Sequence, residues 1–342
     1  MKAIQYTRTG SADVLESVDR AIPDVAAGEV RVHVAVSGLN PTDWKSRAGS
    51  GTTETLSEPK VPGQDGAGVI DAVGDGITGL SVGQRVWVWD AAFQRSNGTS
   101  QEYVSLPARQ VVPLPDAASF DVGASLGIPA LTAHRALTSA ETGPSRLAPG
   151  ALAGHTILVT GGAGAVGHAA IQLATWAGAT VITTVSSPDK AELARTAGAH
   201  HIINYREEDV VARVREIAPD GVDTIVDVNL RANLSDDTAV IAPGGTIAIY
   251  TSDDEDEVAI PARVSMSRNI RYQFILTYTT STAQKDDAVA AVAAAVADGA
   301  MGVGEDAGLP LTRYPLENTA DAHRAVEGNA VGKVLIDLPG NA

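Results

Sequence analysis

The residues best placed to do chemistry form the run Gly162-Ala163-Gly164-Ala165-Val166-Gly167, which follows an apolar stretch at 156–160 and opens a helical one. A G-x-G-x-x-G is weak alone and strong in a strand–turn–helix setting. The first glycine permits a tight turn, the second lets the backbone approach a pyrophosphate, and the third lets helix pack on strand. Phosphate oxygens would then meet free N–H groups at the positive end of the helix. The next strand, 180–185, is followed by Ser186, Ser187, Pro188, Asp189 and Lys190. A site for NAD places an acid about 20 residues beyond the glycines to hold the ribose 2′-hydroxyl. No carboxylate stands at this strand tip, and Asp189, past Pro188, reads as part of a helix start. Ser186 and Ser187 offer neutral hydroxyls, and Lys190 offers charge to a 2′-phosphate. These residue types predict NADPH.

The elements that must hold this loop are legible around it. Strands are expected at 156–160, 180–185, 201–204, 222–228, 245–250 and 271–278, with helices at 166–177, 189–197, 207–217 and 230–241. This alternation implies a parallel sheet covered on both faces. Before it, residues 28–36, 69–73 and 85–89 read as half-buried strands. Pro62-Gly63, Asp75-Gly76 and Val82-Gly83 punctuate them, so about the first 125 residues read as a compact β-rich domain. Residues 124–137 are expected to be helical, with Pro129 near a helix start or a kink. A surface loop is expected at 140–155, helices at 283–297 and 316–327, and a closing strand at 333–338. The acidic run from Asp253 to Glu257 is read as a solvated loop rather than a cation site.

Composition narrows the function. A chain of 342 residues with 44% hydrophobic residues suggests two packed domains. No apolar run approaches the ~18 residues of a membrane span, and no signal-peptide stretch opens the chain, so a cytoplasmic protein is expected. There is no cysteine, which excludes disulfides, thiolate metal sites and a cysteine nucleophile. The net charge of −16 argues against nucleic-acid or anionic-membrane partners. Seven histidines are scattered, and the adjacent pair His200-His201 would point opposite ways in a strand. A catalytic zinc needs about three protein ligands, so no metal is expected.

These motifs resemble the medium-chain dehydrogenase/reductase superfamily, in its zinc-independent quinone oxidoreductase (zeta-crystallin-like) branch, nearly end to end. The likeness is carried by Asn40-Pro41-Thr42-Asp43, by Pro62-Gly63-Gln64-Asp65-Gly66-Ala67-Gly68-Val69, and by Val73-Gly74 with Val82-Gly83-Gln84-Arg85-Val86. It continues through 159–167, Gly198-Ala199 with Ile203 to Asp209, and Gly332-Lys333-Val334. The resemblance implies an α/β fold: a Rossmann doubly wound parallel sheet at 128–278 inserted in a GroES-like β-rich catalytic domain at 1–127 plus 279–342. It implies that nicotinamide and substrate share a cleft between the two. It assigns Lys190 and Tyr205 to the adenosine 2′-phosphate and adenine. Tyr250 and Thr251 would approach the nicotinamide ribose, and Ile275 to Tyr278, Thr277 included, the carboxamide. The zinc alcohol dehydrogenase branch carries cysteine where Ser37 stands and Gly-His-Glu where Gly63-Gln64-Asp65 stands.

Without a metal, an acceptor that is already electrophilic needs only orientation and a few hydrogen bonds. The sequence is therefore read as an NADPH-dependent reductase of quinones or related electron-poor small molecules. Asn40 and Lys45 are expected to hold the acceptor oxygen, with Trp44 as an apolar wall. Reduction of enone or alkenal double bonds is the alternative, and a non-catalytic, crystallin-like NADPH-binding protein is the alternative of another class. A homodimer joined along 271–278, where Tyr272, Phe274 and Leu276 alternate, completes the expectation.

Overall fold

The alternation at 28–36 folds as a strand, Glu29–Leu39, whose Val30, Val32 and Val34 are wholly buried. A computed structural model describes residues 1–251 and 257–340; the acidic positions 253–256 lie outside the described residues. The chain opens with β1 (Lys2–Arg8), β2 (Glu16–Asp19), β3 (Glu29–Leu39), α1 (Pro41–Ala48), β4 (Thr55–Lys60) and β5 (Asp65–Val73). It continues through β6 (Arg85–Val88), β7 (Tyr103–Pro107), β8 (Val111–Pro113), α2 (Phe120–Ala124) and α3 (Gly127–Leu137). Then β and α alternate: β9 (Thr156–Thr160), α4 (Ala165–Trp176), β10 (Thr180–Val185), α5 (Pro188–Thr196), β11 (His201–Asn204) and α6 (Val210–Ile217). The series runs on through β12 (Val222–Asp227), α7 (Leu230–Val240), β13 (Ile241–Ile249), α8 (Ala262–Arg268), β14 (Arg271–Phe274) and α9 (Thr282–Ala297). Last come β15 (Leu311–Pro315), α10 (Thr319–Glu327) and β16 (Lys333–Asp337).

One compact unit comprises Met1–Ile128 and the chain from Pro310. Its main sheet follows the order β15-β16-β3-β5-β6-β8, with β7 also paired to β3. Val30, Val32, Val34, Ile70, Val86, Val88, Leu106 and the returning Val334 and Ile336 share one core. The return matters: β16 lies antiparallel to β3 with Val334 opposite Leu39, while β5 flanks β3 on the other side with Asp65 opposite Gly38. Lys333, the end of β3 and Asp65 are thereby set side by side.

The second unit, Pro129–Leu309, holds a six-stranded parallel sheet ordered β11-β10-β9-β12-β13-β14. Its chain order reverses beside β9, the switch point where doubly wound folds bind ligands at the carboxyl ends of the strands. Leu158, Ile182, Ile203, Ile225 and Ile247 line up across its core. Residues 279–309, expected with the first domain, fall in this unit. The physical reason is that α9 buries Ala288, Ala291, Val292 and Ala295, and that the following loop bonds α4. Trp176 Nε1 donates to Asp298 (2.9 Å), Gln172 Nε2 to the Gly302 carbonyl (3.3 Å) and His168 Nε2 to the Ala307 carbonyl (2.7 Å).

Other boundaries differ from expectation. The strand expected to reach 278 ends at Phe274, and Thr277–Thr279 forms a 3₁₀ turn. The helix expected at 124–137 is broken at Ser125 and Leu126, and Pro129 sits in the first turn of α3, where its missing N–H costs nothing. α6 begins at Val210 because Asp209 caps it, accepting from Ala212 N at 2.9 Å. β13 starts at Ile241, directly after α7.

Candidate active site

The glycine-rich turn follows β9 and is packed by its neighbours. Gly161 (φ 70°) and Gly162 both donate to the Thr184 carbonyl, at 3.1 and 3.2 Å. A Cβ on Gly162 would stand 2.1 Å from Thr183 Oγ1, and one on Gly167 would stand 2.4 Å from the Gly161 carbonyl. Both glycines are thus required by close packing. Gly164 is different. It is exposed, and a Cβ there would meet only the Gly161 carbonyl, at an ordinary 3.5 Å. Gly164 is also the N-cap of α4 and brings no side chain to cap it. The N–H groups of the first turn, Ala165, Val166 and Gly167, therefore have no capping side chain over them.

At the tip of β10, Ser186, Ser187 and Lys190 are all half-buried. Ser187 caps α5, its Oγ accepting from Lys190 N at 3.3 Å, and Lys190 Nζ donates back to Ser186 Oγ at 3.1 Å. Asp189 is exposed in the first turn of α5, as the sequence suggested. The neighbouring β11 brings Tyr205 alongside: its N–H donates to the Val185 carbonyl (3.1 Å), and the residue is 51% exposed. Ser186, Ser187, Lys190 and Tyr205 thus share one sheet corner.

The residues expected beside nicotinamide fall out less evenly. Tyr250 N donates to the Asp227 carbonyl at 3.3 Å, and burial next to that carboxylate pushes its phenol up. Thr251 is half-buried one residue on. Ile275 is buried and extends the β13 pairing by one bond, its N–H to the Ile249 carbonyl at 2.8 Å. Thr277 does not lie on a strand; its hydroxyl is committed to Thr132 Oγ1 at 2.6 Å inside this unit. The expectation of an extended 275–278 segment is corrected accordingly. Leu276 ends the pairing, and the backbone turns there.

In the first unit, α1 carries Trp44, half-buried, and Lys45, exposed, with Lys45 Nζ 5.9 Å from the centre of the Trp44 ring. Asn40, its N-cap, is 3% exposed and fully engaged. Its Oδ1 accepts from Lys333 Nζ at 2.7 Å, and its Nδ2 donates to Asp65 Oδ2 at 2.7 Å and toward the Gly38 carbonyl at 3.4 Å. Its backbone N–H donates to Asp43 Oδ2 at 2.8 Å. Both polar atoms of the Asn40 amide are therefore engaged within the protein, and holding an acceptor oxygen, the role expected of Asn40, would require one of them to be shared. Burial pushes Asp43 up to about 7 and Asp65 up to about 6, while it lowers Lys333. Reasoning from sequence passed over Lys333 and Asp65 as site residues. The available signal was a lysine heading the otherwise apolar run Val334-Leu335-Ile336.

The positions where relatives of another branch ligate zinc are bonded internally. Ser37 Oγ pairs with Thr99 Oγ1 at 2.7 Å, Gln64 Oε1 accepts from Ala92 N at 3.2 Å, and Asp65 caps α3 through Ile128 N at 2.9 and 3.0 Å. This donor set does not suit a catalytic zinc.

Residues 26–116 match the family model described as alcohol dehydrogenase GroES-like domain, and 165–297 match the one described as zinc-binding dehydrogenase. A human quinone oxidoreductase is 28% identical over 342 residues, 99% of this chain and 98% of that protein. The solved structure of a mycobacterial quinone oxidoreductase superposes with TM-score 0.80 at 31% identity, over 98% of this chain and 99% of the other. The chain belongs to the quinone oxidoreductase branch of the medium-chain dehydrogenase/reductases. A second mycobacterial structure, solved as a complex with NADPH, gives TM-score 0.80 and 30% identity over 98% of this chain and 100% of its own. A tomato 2-methylene-furan-3-one reductase is 33% identical over 257 residues, 73% of this chain and 62% of that protein. Within the quinone oxidoreductase branch, the first unit is the GroES-like domain and the second the Rossmann domain. Among the described residues no group of three or more histidine, cysteine, aspartate or glutamate side chains is placed to hold a metal ion.

Proposed function

We propose that this oxidoreductase takes hydride from NADPH and delivers it to a quinone or a similar electron-poor small molecule. The observation that carries this reading is the bare first turn of α4 beside Gly164, with Lys190 and Ser186 at the tip of β10 and no carboxylate at that tip. The pyrophosphate would lie on the α4 amides, the 2′-phosphate on Lys190 and Ser186, and the adenine against the ring of the exposed Tyr205. The NADPH complex of the mycobacterial relative supports the choice of dinucleotide. When bound, the nicotinamide supplies a hydride.

The chain's own task is to orient the acceptor and to stabilise the negative charge that hydride addition leaves on it. The exposed Lys45 ammonium is suited to that charge, with the Trp44 ring as an apolar wall against a flat substrate. The acceptor oxygen then takes a proton from solvent. The tomato relative favours a second reading, in which the acceptor is a conjugated carbonyl and its carbon–carbon double bond is reduced.

Following NADPH oxidation with quinones, enals and enones separates these readings. Turnover of quinones alone supports the first, and a saturated carbonyl product supports the second. Binding of NADPH without turnover of any of them defeats both. Lys45→Ala should lower kcat/KM for every accepted substrate by at least about tenfold, the loss of one oxyanion-stabilising donor.

The protein is proposed to act as a cytoplasmic homodimer. β14 is an edge of the six-stranded sheet, and Phe274 (63%), Leu276 (59%) and Met266 (77%) are exposed on or near it. An unpaired apolar edge is a template for a second copy. Among the described residues no helix is long and apolar enough to cross a membrane. Sedimentation as a monomer at micromolar concentration would refute the dimer.

A further inference from the structure

Lys333 is a lysine where a core residue would be expected. Its side chain is 2% exposed, and it begins a strand whose next residues are apolar and buried. Its ammonium reaches Asn40 Oδ1, at 2.7 Å, and Asp65 Oδ2, at 3.8 Å. The three side chains come from β16, from the α1 N-cap that follows β3, and from the start of β5, and the three strands are neighbours in one sheet. The packing makes room for them. A Cβ on Gly38 would press to 3.2 Å from Lys333 Cε, and one on Gly127 to 2.0 Å from Asp65 Oδ1.

The arrangement is polar in a defined direction. An ammonium can only donate and a carboxylate only accept. The amide of Asn40, held between them, therefore has one permitted orientation, since a flip would set NH₂ against NH₃⁺ and oxygen against oxygen. Asp43 extends the network by accepting from Asn40 N at 2.8 Å and Gly63 N at 3.2 Å, which ties the first turn of α1 to the β5 side. Burying an ammonium is costly unless good geometry repays it, and a well-packed apolar side chain commonly does as well or better for stability. What an apolar residue cannot do is set the direction of Asn40.

We propose that Lys333 is a positioning residue of the reductase: through Asn40 it fixes the N-terminal turn of α1 and so the placement of Trp44 and Lys45. The proposal rests on the reading of α1 as the acceptor-binding element, and it deepens that reading. Lys333 does not touch the substrate.

The test uses Lys333→Met and the charge-compensated pair Lys333→Met with Asp65→Asn in the full chain. Three quantities are read: kcat/KM with NADPH and a quinone, Tm, and hydrogen exchange of the α1 peptide by mass spectrometry. Lys333→Met should lower Tm, because it strands a buried carboxylate. It should also lower kcat/KM at least about tenfold, since displacing a positioned group by ~1 Å can cost a factor of 10². NADPH affinity should stay within about twofold, because the glycine turn belongs to the other unit. The double variant should recover most of the Tm while kcat/KM stays low and α1 amides 43–48 exchange faster than in the wild type.

Recovery of kcat/KM in step with Tm, or α1 protection equal to the wild type, assigns Lys333 to charge balance alone and overturns the proposal. Failure of the double variant to fold overturns it too. Wild-type turnover reports separately on the proposed reaction. If no acceptor is reduced, that reading fails while the exchange measurement still decides the role of Lys333.

Discussion

Lys333 Nζ and Asn40 Oδ1 stand 2.7 Å apart although 293 residues separate them in the chain. The contact exists because β16, formed after the whole Rossmann domain has been traversed, pairs antiparallel with β3 and sets Val334 opposite Leu39. A side-chain network of the GroES-like domain thus closes only when the C-terminal strand docks.

The space for that network is enforced by Gly38. Gly38→Ala would place a methyl 1.8 Å from the Ala124 carbonyl and against the Lys333 stem. Overpacking of this kind costs about 1–3 kcal/mol. A lowered Tm with Rossmann-domain cofactor binding retained is the expected result, and calorimetry with a binding titration checks it. An unchanged Tm would show that β3 and α2 can separate freely.

Two of the motif glycines should respond differently. Gly162→Ala meets Thr183 Oγ1 at 2.1 Å and should destabilise the Rossmann domain itself. Gly164→Ala meets nothing closer than 3.5 Å in the protein, so it should fold normally. Its methyl would stand where, in the proposed binding mode, the pyrophosphate approaches the α4 amides. Wild-type Tm without cofactor, together with NADPH affinity weakened by at least about tenfold, is expected for Gly164→Ala. Undiminished affinity would place the pyrophosphate elsewhere.

Lys190 tests the choice of dinucleotide. A charge-assisted hydrogen bond contributes about 1.5–3 kcal/mol, which corresponds to roughly 10–100-fold in affinity. Lys190→Ala should weaken NADPH by that factor and leave NADH nearly unchanged. Fluorescence titration with both cofactors measures it. Equal affinities in the wild type would already remove the argument.

Asp43 gives a pH signature with a definite sign. Its carboxyl is pushed up to about 7 by burial, from the ordinary value near 3.9. The folded state therefore holds its proton more tightly than the unfolded chain. The stabilisation this brings is fully present below about pH 4 and is lost as pH rises through about 7. Asp43→Asn lacks that dependence. The Tm of the wild type minus that of Asp43→Asn should fall steadily from pH 4 to pH 8. Buried His134, His168 and His323, held down at about 4, about 4 and about 3 by burial, act in the opposite sense. They are common to both proteins and cancel in the difference. A difference that grows with pH would contradict the assignment.

The Rossmann half was readable because its signals are local. A glycine turn between a strand and a helix, a hydroxyl-tipped second strand and a repeating strand–helix period all lie within short windows, and each reappears in place. Its failures were failures of context. Nothing in Phe274 to Tyr278 announces that the backbone turns at Leu276, because that depends on Thr277 reaching Thr132. Residues 279–309 carry no mark of which core they join; the small side chains of α9 and the bonds of Gln172 and His168 settle it.

Residue types and spacing by themselves determined the glycine-rich turn between a strand and a helix, the lack of an acid at the second strand, the want of thiolate ligands and the α/β class. Each of these rests on covalent neighbours, whose geometry a short segment already sets. The engagement of both ends of Asn40, the burial of Lys333 and the capping of α3 by Asp65 were decided by tertiary structure alone. They arise where β16, β3 and β5 meet, and the pairing of strands distant in sequence is governed by the shared core, not by any one stretch of chain.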